Sequence, residues 1–244
     1  MLTPSLDAAL ADIETVFNGF SSPHETGCEL CFGPEETVYL RTPYTRVPLE
    51  LVGRFVFKHP LHFEDHAAVM RRLLPQCARA MADGSLDGVG WWHHGLSRVD
   101  WRSWPRKQAA AVEAFVLAWW YDALTAPEPP YPVADVFETC GAILRTMTPL
   151  LDRWDAHPAA DAHLVRCASA WLHSLIYDDW PFTWWTRDDE AAGIAELQAW
   201  FARHAPARLR AQGEEDLAIQ ARLVGLPYDE RWNDPYWTSP SATN

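Results

Sequence analysis

His24, Cys28 and Cys31 form the pattern His-x3-Cys-x2-Cys in a segment that also carries Gly27 and Gly33. Two cysteines separated by two residues supply half of a tetrahedral zinc site, because one short turn brings both thiolates to the same side. His24 is near enough for the loop to fold back and offer a third ligand. No fourth ligand is adjacent, and His59, His62 and His66 are the candidates for it. A helix over 62–82 would put His62 and His66 one turn apart on one face. The competing reading is two ordinary thiols beside a surface histidine, since this spacing produces many chance matches. Redox use of the pair is disfavoured, because Glu25, Glu29, Glu35 and Glu36 surround it and negative charge raises a thiol pKa. The same acids would help to neutralise a bound cation.

Other constellations carry less. His62-Phe63-Glu64-Asp65-His66 fails as HExxH, because Phe63 stands where that motif has its general base. His93-His94 follows Trp91-Trp92, but adjacent residues on a regular element point in different directions. Asp178-Asp179 follows an expected helix end and Asp188-Asp189-Glu190 opens a helix, so capping and solvation explain both groups. There is no G-x-S-x-G elbow, P-loop, dinucleotide fingerprint or EF-hand loop. Trp119 and Trp120 lie on an apolar helix face. Trp91, Trp92, Trp184 and Trp185 fall in expected loops, which makes them the candidate binding surface.

The hydrophobic period of the chain is helical almost throughout. In a first helix expected over 1–20, Leu6, Leu10, Ile13, Phe17 and Phe20 recur at spacings of three and four. Loop residues follow over 21–34, then short helices over 35–41 and 48–58 with prolines in their first turns. Pro75 inside the stretch 62–82 predicts a kink or break. Residues 83–103 read as irregular, and a long helix runs from Pro105 to about Thr125. Helices are expected over 133–147, 149–156 and 159–178, from Asp188 to about His204, and over 207–224. No segment alternates as a strand should. The expected fold is all-α: paired antiparallel short helices in an irregular bundle or HEAT-like α-solenoid, although no residue pattern repeats at a fixed period. One domain is expected over 1–225. An aromatic, Pro-rich tail follows, with 226–237 docked back and 238–244 free.

The chain has 244 residues, 48% of them hydrophobic, which is enough to bury a core without disulfides. Its five cysteines are read as reduced thiols, with Cys77, Cys140 and Cys167 in the core. A formal net charge of −13 argues against nucleic-acid binding, since such a chain repels phosphate backbones. No apolar run is long enough to span a bilayer. Residues 1–10 lack the basic start and apolar run of a secretory signal, so no membrane contact and a cytoplasmic location are the expectation. Fourteen tryptophans are several times the usual share, and only Lys58 and Lys107 are lysines. A GC-rich genome accounts for the arginine bias.

Several stretches together resemble an uncharacterised family of bacterial proteins common in actinobacteria. They are Cys28-Glu29-Leu30-Cys31 with Pro34-Glu35, Arg41-Thr42-Pro43 with Val47-Pro48, and Gly53 to Lys58. Leu73-Leu74-Pro75, Trp101 to Pro105 and Phe182 to Trp185 complete the set. The resemblance spans roughly 20–205 through short motifs. It implies a helical fold and a histidine a few residues before the Cys pair, where His24 stands. It implies no reaction, and His62 and His66 are not part of the shared pattern. The functional expectation is a non-enzymatic protein-binding or scaffold module, inhibitor-like or immunity-like, whose partner is a basic protein steered by the acidic surface. A structural Zn2+ at the Cys pair accompanies it. The alternative is a zinc-dependent, hydrolase-like enzyme using the His24/Cys28/Cys31 loop with water at the fourth position.

Overall fold

The computed structural model describes residues 2–182 and 190–238. Among these, every regular element is helical: eleven α-helices joined by turns and short 3-10 segments, with no strand. The residues divide into two compact units. The first holds 2–123 and 128–145, and the second holds 124–127 with the described residues from 146 onward.

The first unit is organised on α4 (His66–Asp83). Around it pack α1 (Pro4–Phe17), α2 (Pro34–Arg41), α3 (Leu49–Val56) and the 3-10 turn Gly95–Arg98. Asp65 caps α4, its Oδ1 accepting the Ala68 N–H at 2.8 Å, and Gly84 ends it with φ +82°. The helix continues through Pro75, so of the kink or break expected there the break does not occur. Val69, Met70, Leu73, Leu74 and Met81 are buried on it. Each is worth roughly 1.5–3 kcal/mol, against about 3 kcal/mol for an interior proline, so packing overrides the local penalty. The 3-10 turn also packs on α6 (Val133–Leu144), which follows α5 (Arg106–Thr125). The apolar stripe of α5 is core: Val112, Phe115, Val116, Trp119 and Trp120 are all buried.

In the second unit α7 (Thr148–Leu151) precedes a three-helix group of α8 (Pro158–Ile176), α9 (Glu190–Ala211) and α10 (Glu215–Leu223). Helix α9 passes through Pro206, where the sequence predicts a boundary, and stops before Gly213 instead. Leu209, fully buried, and Arg208, paired with Asp161 at 2.6 Å, hold the last turns down. Gly213 then takes φ +85°, a conformation nearly free of cost only for glycine. The aromatic tail forms α11 (Tyr228–Trp232) and the 3-10 turn Pro235–Thr238. It is held by Arg231, by Tyr236 Oη accepting from Gln220, and by the Arg222–Asp234 pair at 2.7 Å. Residues 239–244 lie outside the described residues. No helix among the described residues is long and apolar enough to cross a membrane.

Candidate metal centre

Cys28 and Cys31 lie in the loop between α1 and α2, and His62 closes the 3-10 turn Pro60–His62 before α4. A tight turn forms the Cys pair: the Cys28 carbonyl accepts from Cys31 N at 2.8 Å and from Phe32 N at 3.0 Å. The Cys28 N–H donates to the His62 carbonyl at 3.0 Å, which joins the two segments directly. The result is a cluster of Cys28 Sγ, Cys31 Sγ and a His62 ring nitrogen, all within 4.8 Å of one another. Cys31 Sγ and His62 Nδ1 are 3.5 Å apart. Zinc–sulfur bonds of about 2.3 Å and zinc–nitrogen bonds of about 2.0–2.1 Å at tetrahedral angles give a sulfur–nitrogen edge of about 3.5 Å. The three side chains could therefore hold a metal ion with little movement.

What brings His62 to the thiols is Glu25, whose side chain is fully buried. Its Oε1 accepts from Gly27 N at 2.8 Å and Glu64 N at 3.1 Å, and its Oε2 accepts from Asp65 N at 3.2 Å. One carboxylate thus ties the Cys loop to the chain just after His62. The Glu25 carbonyl accepts from Arg41 Nη1 at 2.7 Å. On the other side Arg54 donates to the Cys31 carbonyl at 2.8 Å and pairs with Glu36, which itself accepts the Gly33 N–H. Beneath the turn Phe32 packs on Phe55 and Phe63, with ring centroids 4.8 and 5.8 Å away.

The thiol environment differs from the sequence expectation. Hydrogen bonds from the Leu30 backbone and from Cys31, with the Lys58 charge farther off, hold the Cys28 thiol below its ordinary pKa despite some desolvation. Glu25 spends its charge on backbone N–H groups, and Glu36 on Gly33 and Arg54. Two of the four neighbouring acids are thus engaged elsewhere, and the direction of the Cys28 shift is toward the thiolate that a metal requires.

His24, expected as the third ligand, is exposed and lies outside the group, whereas His62, one of the candidates for the fourth, is the histidine beside the two thiols. His59 is exposed, with Nδ1 accepting the Leu61 N–H. His62 and His66 do not share a helix face: Phe63 is extended, and α4 begins only at His66. His66 is buried and stacks on Phe63 at 5.5 Å. Trp91 and Trp92 are 74% and 60% exposed, as a surface role requires. Trp184 and Trp185 lie outside the described residues, as do Asp188 and Asp189. Asp178 is more than a solvated cap: burial opposes its ionisation, but hydrogen bonds from Gln198 and Arg231 outweigh this and hold its carboxyl below the usual range. A cleft of about 940 Å³ opens between α1 and α4, lined by Phe17, Tyr44, Arg72, Gln76 and Arg79, and it includes none of the three cluster residues.

His94 belongs to the core. Its Nδ1 accepts the Leu96 N–H at 3.2 Å, and its Nε2 lies 3.3 Å from Cys77 Sγ. Burial pushes its pKa down to about 3. The unfolded chain, near 6.5, then binds the proton that the folded chain refuses. His94 therefore contributes stability above pH 6.5 that is lost as pH falls toward 3, at up to about 1.4 kcal/mol per pH unit. Urea unfolding between pH 7 and 4 measures this. A His94→Gln chain is expected to show a shallower acid limb, and parallel curves would refute the assignment.

Comparison with protein-family models, curated proteins and solved structures finds no match for this chain.

Proposed function

We propose that this chain is a zinc-binding helical module, with Cys28, Cys31 and His62 as the protein ligands, and that it works by binding another protein. The observation that carries the reading is the 3.5 Å approach of Cys31 Sγ to His62 Nδ1 with Cys28 Sγ beside them. Thiolate and imidazole together select zinc over calcium or magnesium, which take oxygen ligands. Zinc there joins the Cys loop to the segment before α4, the same two segments that Glu25 links. Binding surface lies close by: Leu30, at the tip of the Cys turn, is 98% exposed, and Leu61, next to His62, is 88% exposed. The net charge of −13 favours a basic partner.

A zinc-dependent hydrolase is the second reading. Three protein ligands among the described residues leave a fourth position for water, as catalytic zinc requires. Against it, Glu25, the buried carboxylate of the Cys loop, has both oxygens occupied by backbone donors and is not free as a general base.

Native mass spectrometry of protein purified without chelator or affinity metal tests the proposal. One zinc per chain is expected, lost in Cys28→Ser/Cys31→Ser and in His62→Ala but kept in His24→Ala. A chain that takes up no zinc even when zinc is added refutes it. Zinc kept in His62→Ala but lost in His24→Ala would restore the ligand set expected from sequence.

A further inference from the structure

The cleft between α1 and α4 holds a buried cation without a matching anion. Arg72, on α4, lines it and is only 7% exposed. Its Nε donates to the Tyr39 carbonyl at 3.2 Å, and its Nη2 to the carbonyls of Thr42, at 3.1 Å, and Thr45. Nη1 has no hydrogen-bond partner among the described residues, yet it is not one of the orphaned polar atoms closed to solvent. Carbonyls satisfy the hydrogens of a guanidinium but bring no net charge, and no carboxylate pairs with Arg72 among the described residues. Burial accordingly holds its pKa below the ordinary value. Glu14 and Asp83, the carboxylates along the cleft, are spent elsewhere: Glu14 on Arg79 at 2.6 Å, Asp83 on the Ser85 N–H at 2.9 Å. Arg46, exposed at the rim, has no carboxylate partner either.

The facing wall is tied down by the same helix. Gln76, one turn after Arg72, accepts the Val47 N–H at 2.8 Å and donates to the Val47 carbonyl at 3.0 Å. Arg72 and Gln76 thus hold residues 42–47 against α4. From that wall Tyr44 projects, 78% exposed, on a backbone at φ +62°, which is unfavourable for a bulky side chain. Its ring reaches Gly19, just past the end of α1, where a Cβ would collide with it. Phe20 follows, half-buried, with its ring centroid 5.9 Å from that of Phe17. At about 940 Å³ the cleft has the size of a small-molecule site.

An exposed ring on a strained backbone, beside a buried cation without a counter-charge, is costly for folding alone. A ligand that brings both an anion and an apolar ring offsets both costs. Nε and Nη2 are occupied, so the guanidinium cannot offer its usual two-pronged fork to a phosphate. One free Nη1 and one uncompensated charge match a monoanion instead. We propose that this cleft binds a small aromatic carboxylic acid, with its carboxylate on Arg72 Nη1 and its ring against Phe20 and Tyr44. The site is separate from the metal centre, whose ligands are Cys28, Cys31 and His62, and it adds a small-molecule role to protein binding.

Isothermal titration of the full chain with phenylacetate and with the larger indole acetate tests the site. Two controls are run at matched ionic strength: phenylacetamide keeps the ring and loses the charge, and acetate keeps the charge and loses the ring. Saturable binding of one aromatic acid per chain is expected, with a thermal midpoint raised by the acids and unmoved by the controls. Binding should weaken about tenfold or more in Arg72→Gln, which removes a charge-assisted contact, and severalfold in Tyr44→Ala. Should Arg72→Gln not fold, Tyr44→Ala, at an exposed position, carries the test. Phenylacetamide or acetate binding as tightly as phenylacetate overturns the site. So does undiminished binding in a folded Arg72→Gln chain or in Tyr44→Ala, and so does the absence of saturable binding by either aromatic acid.

Discussion

Replacing Glu25 by alanine is expected to destabilise the first unit by about 3–5 kcal/mol and to loosen the proposed metal centre with it. The carboxylate is fully buried and accepts from Gly27, Glu64 and Asp65. Hydrogen bonds to a charged acceptor are worth about 1.5–3 kcal/mol each, and buried N–H groups left without a partner carry the full cost of their desolvation. The sum is less than additive, because the freed loop can admit water to some of these donors. Glu25→Gln should fall between, since one carbonyl oxygen can serve only part of what two carboxylate oxygens serve. Urea unfolding of the zinc-free chains gives the stability term, and zinc competition gives the second effect. Zinc affinity should drop at least tenfold in Glu25→Ala, in line with the loss of a group that orients ligands. Unchanged zinc affinity in a destabilised Glu25→Ala chain would show that the Cys turn and His62 hold their positions without the tie.

Arg231→Met is expected to cost the second unit about 2–4 kcal/mol and to release α11. Arg231 is 4% exposed, and its guanidinium reaches back to the end of α8. Nη1 donates to the Ile176 carbonyl at 2.9 Å, lies 3.3 Å from the Leu175 carbonyl, and meets Asp178 Oδ1 at 2.7 Å. Nε donates to the Leu226 carbonyl at 2.9 Å. The last carbonyls of a helix lack intrahelical partners and carry partial negative charge, so a buried cation there is doubly suited. Asp178 is 44% exposed, so its pairing adds little, and the carbonyls dominate the cost. Lysine should rescue only in part, because its ammonium cannot reproduce the planar fork. Hydrogen exchange over 228–238 provides the readout: protection there should be lost in Arg231→Met before the rest of the unit unfolds. Protection equal to wild type would refute the role.

Much of the architecture was legible from apolar spacing. The stripe Leu6, Leu10, Ile13, Phe17 became the buried face of α1, and Val112 to Trp120 that of α5. Such faces are legible because a helix repeats its neighbours every three or four residues, whatever it packs on. Interior prolines were read only in part. Pro206 marks a helix boundary in the sequence and Pro75 a kink or break, and both sit inside helices, α9 and α4, in the structure. Their penalty is local and visible, whereas the burial that overrides it comes from other parts of the chain.

The candidate centre divides along the same line. Spacing alone singled out Cys28 and Cys31, because two residues between cysteines is a property of one turn. Whether His24 or His62 stands beside them is not a local question. Glu25 reads in sequence as one acid among several, and only in the folded chain does it become a buried acceptor for residues 64 and 65. The sequence by itself therefore determined the helical class and the Cys pair, both set by interactions within a few residues. Tertiary structure alone decided the histidine that joins the pair, the buried guanidinium of Arg72 that no carboxylate answers, and the seat of the tail on α8. Each of these depends on polar groups distant in sequence satisfying, or failing to satisfy, one another once water is removed.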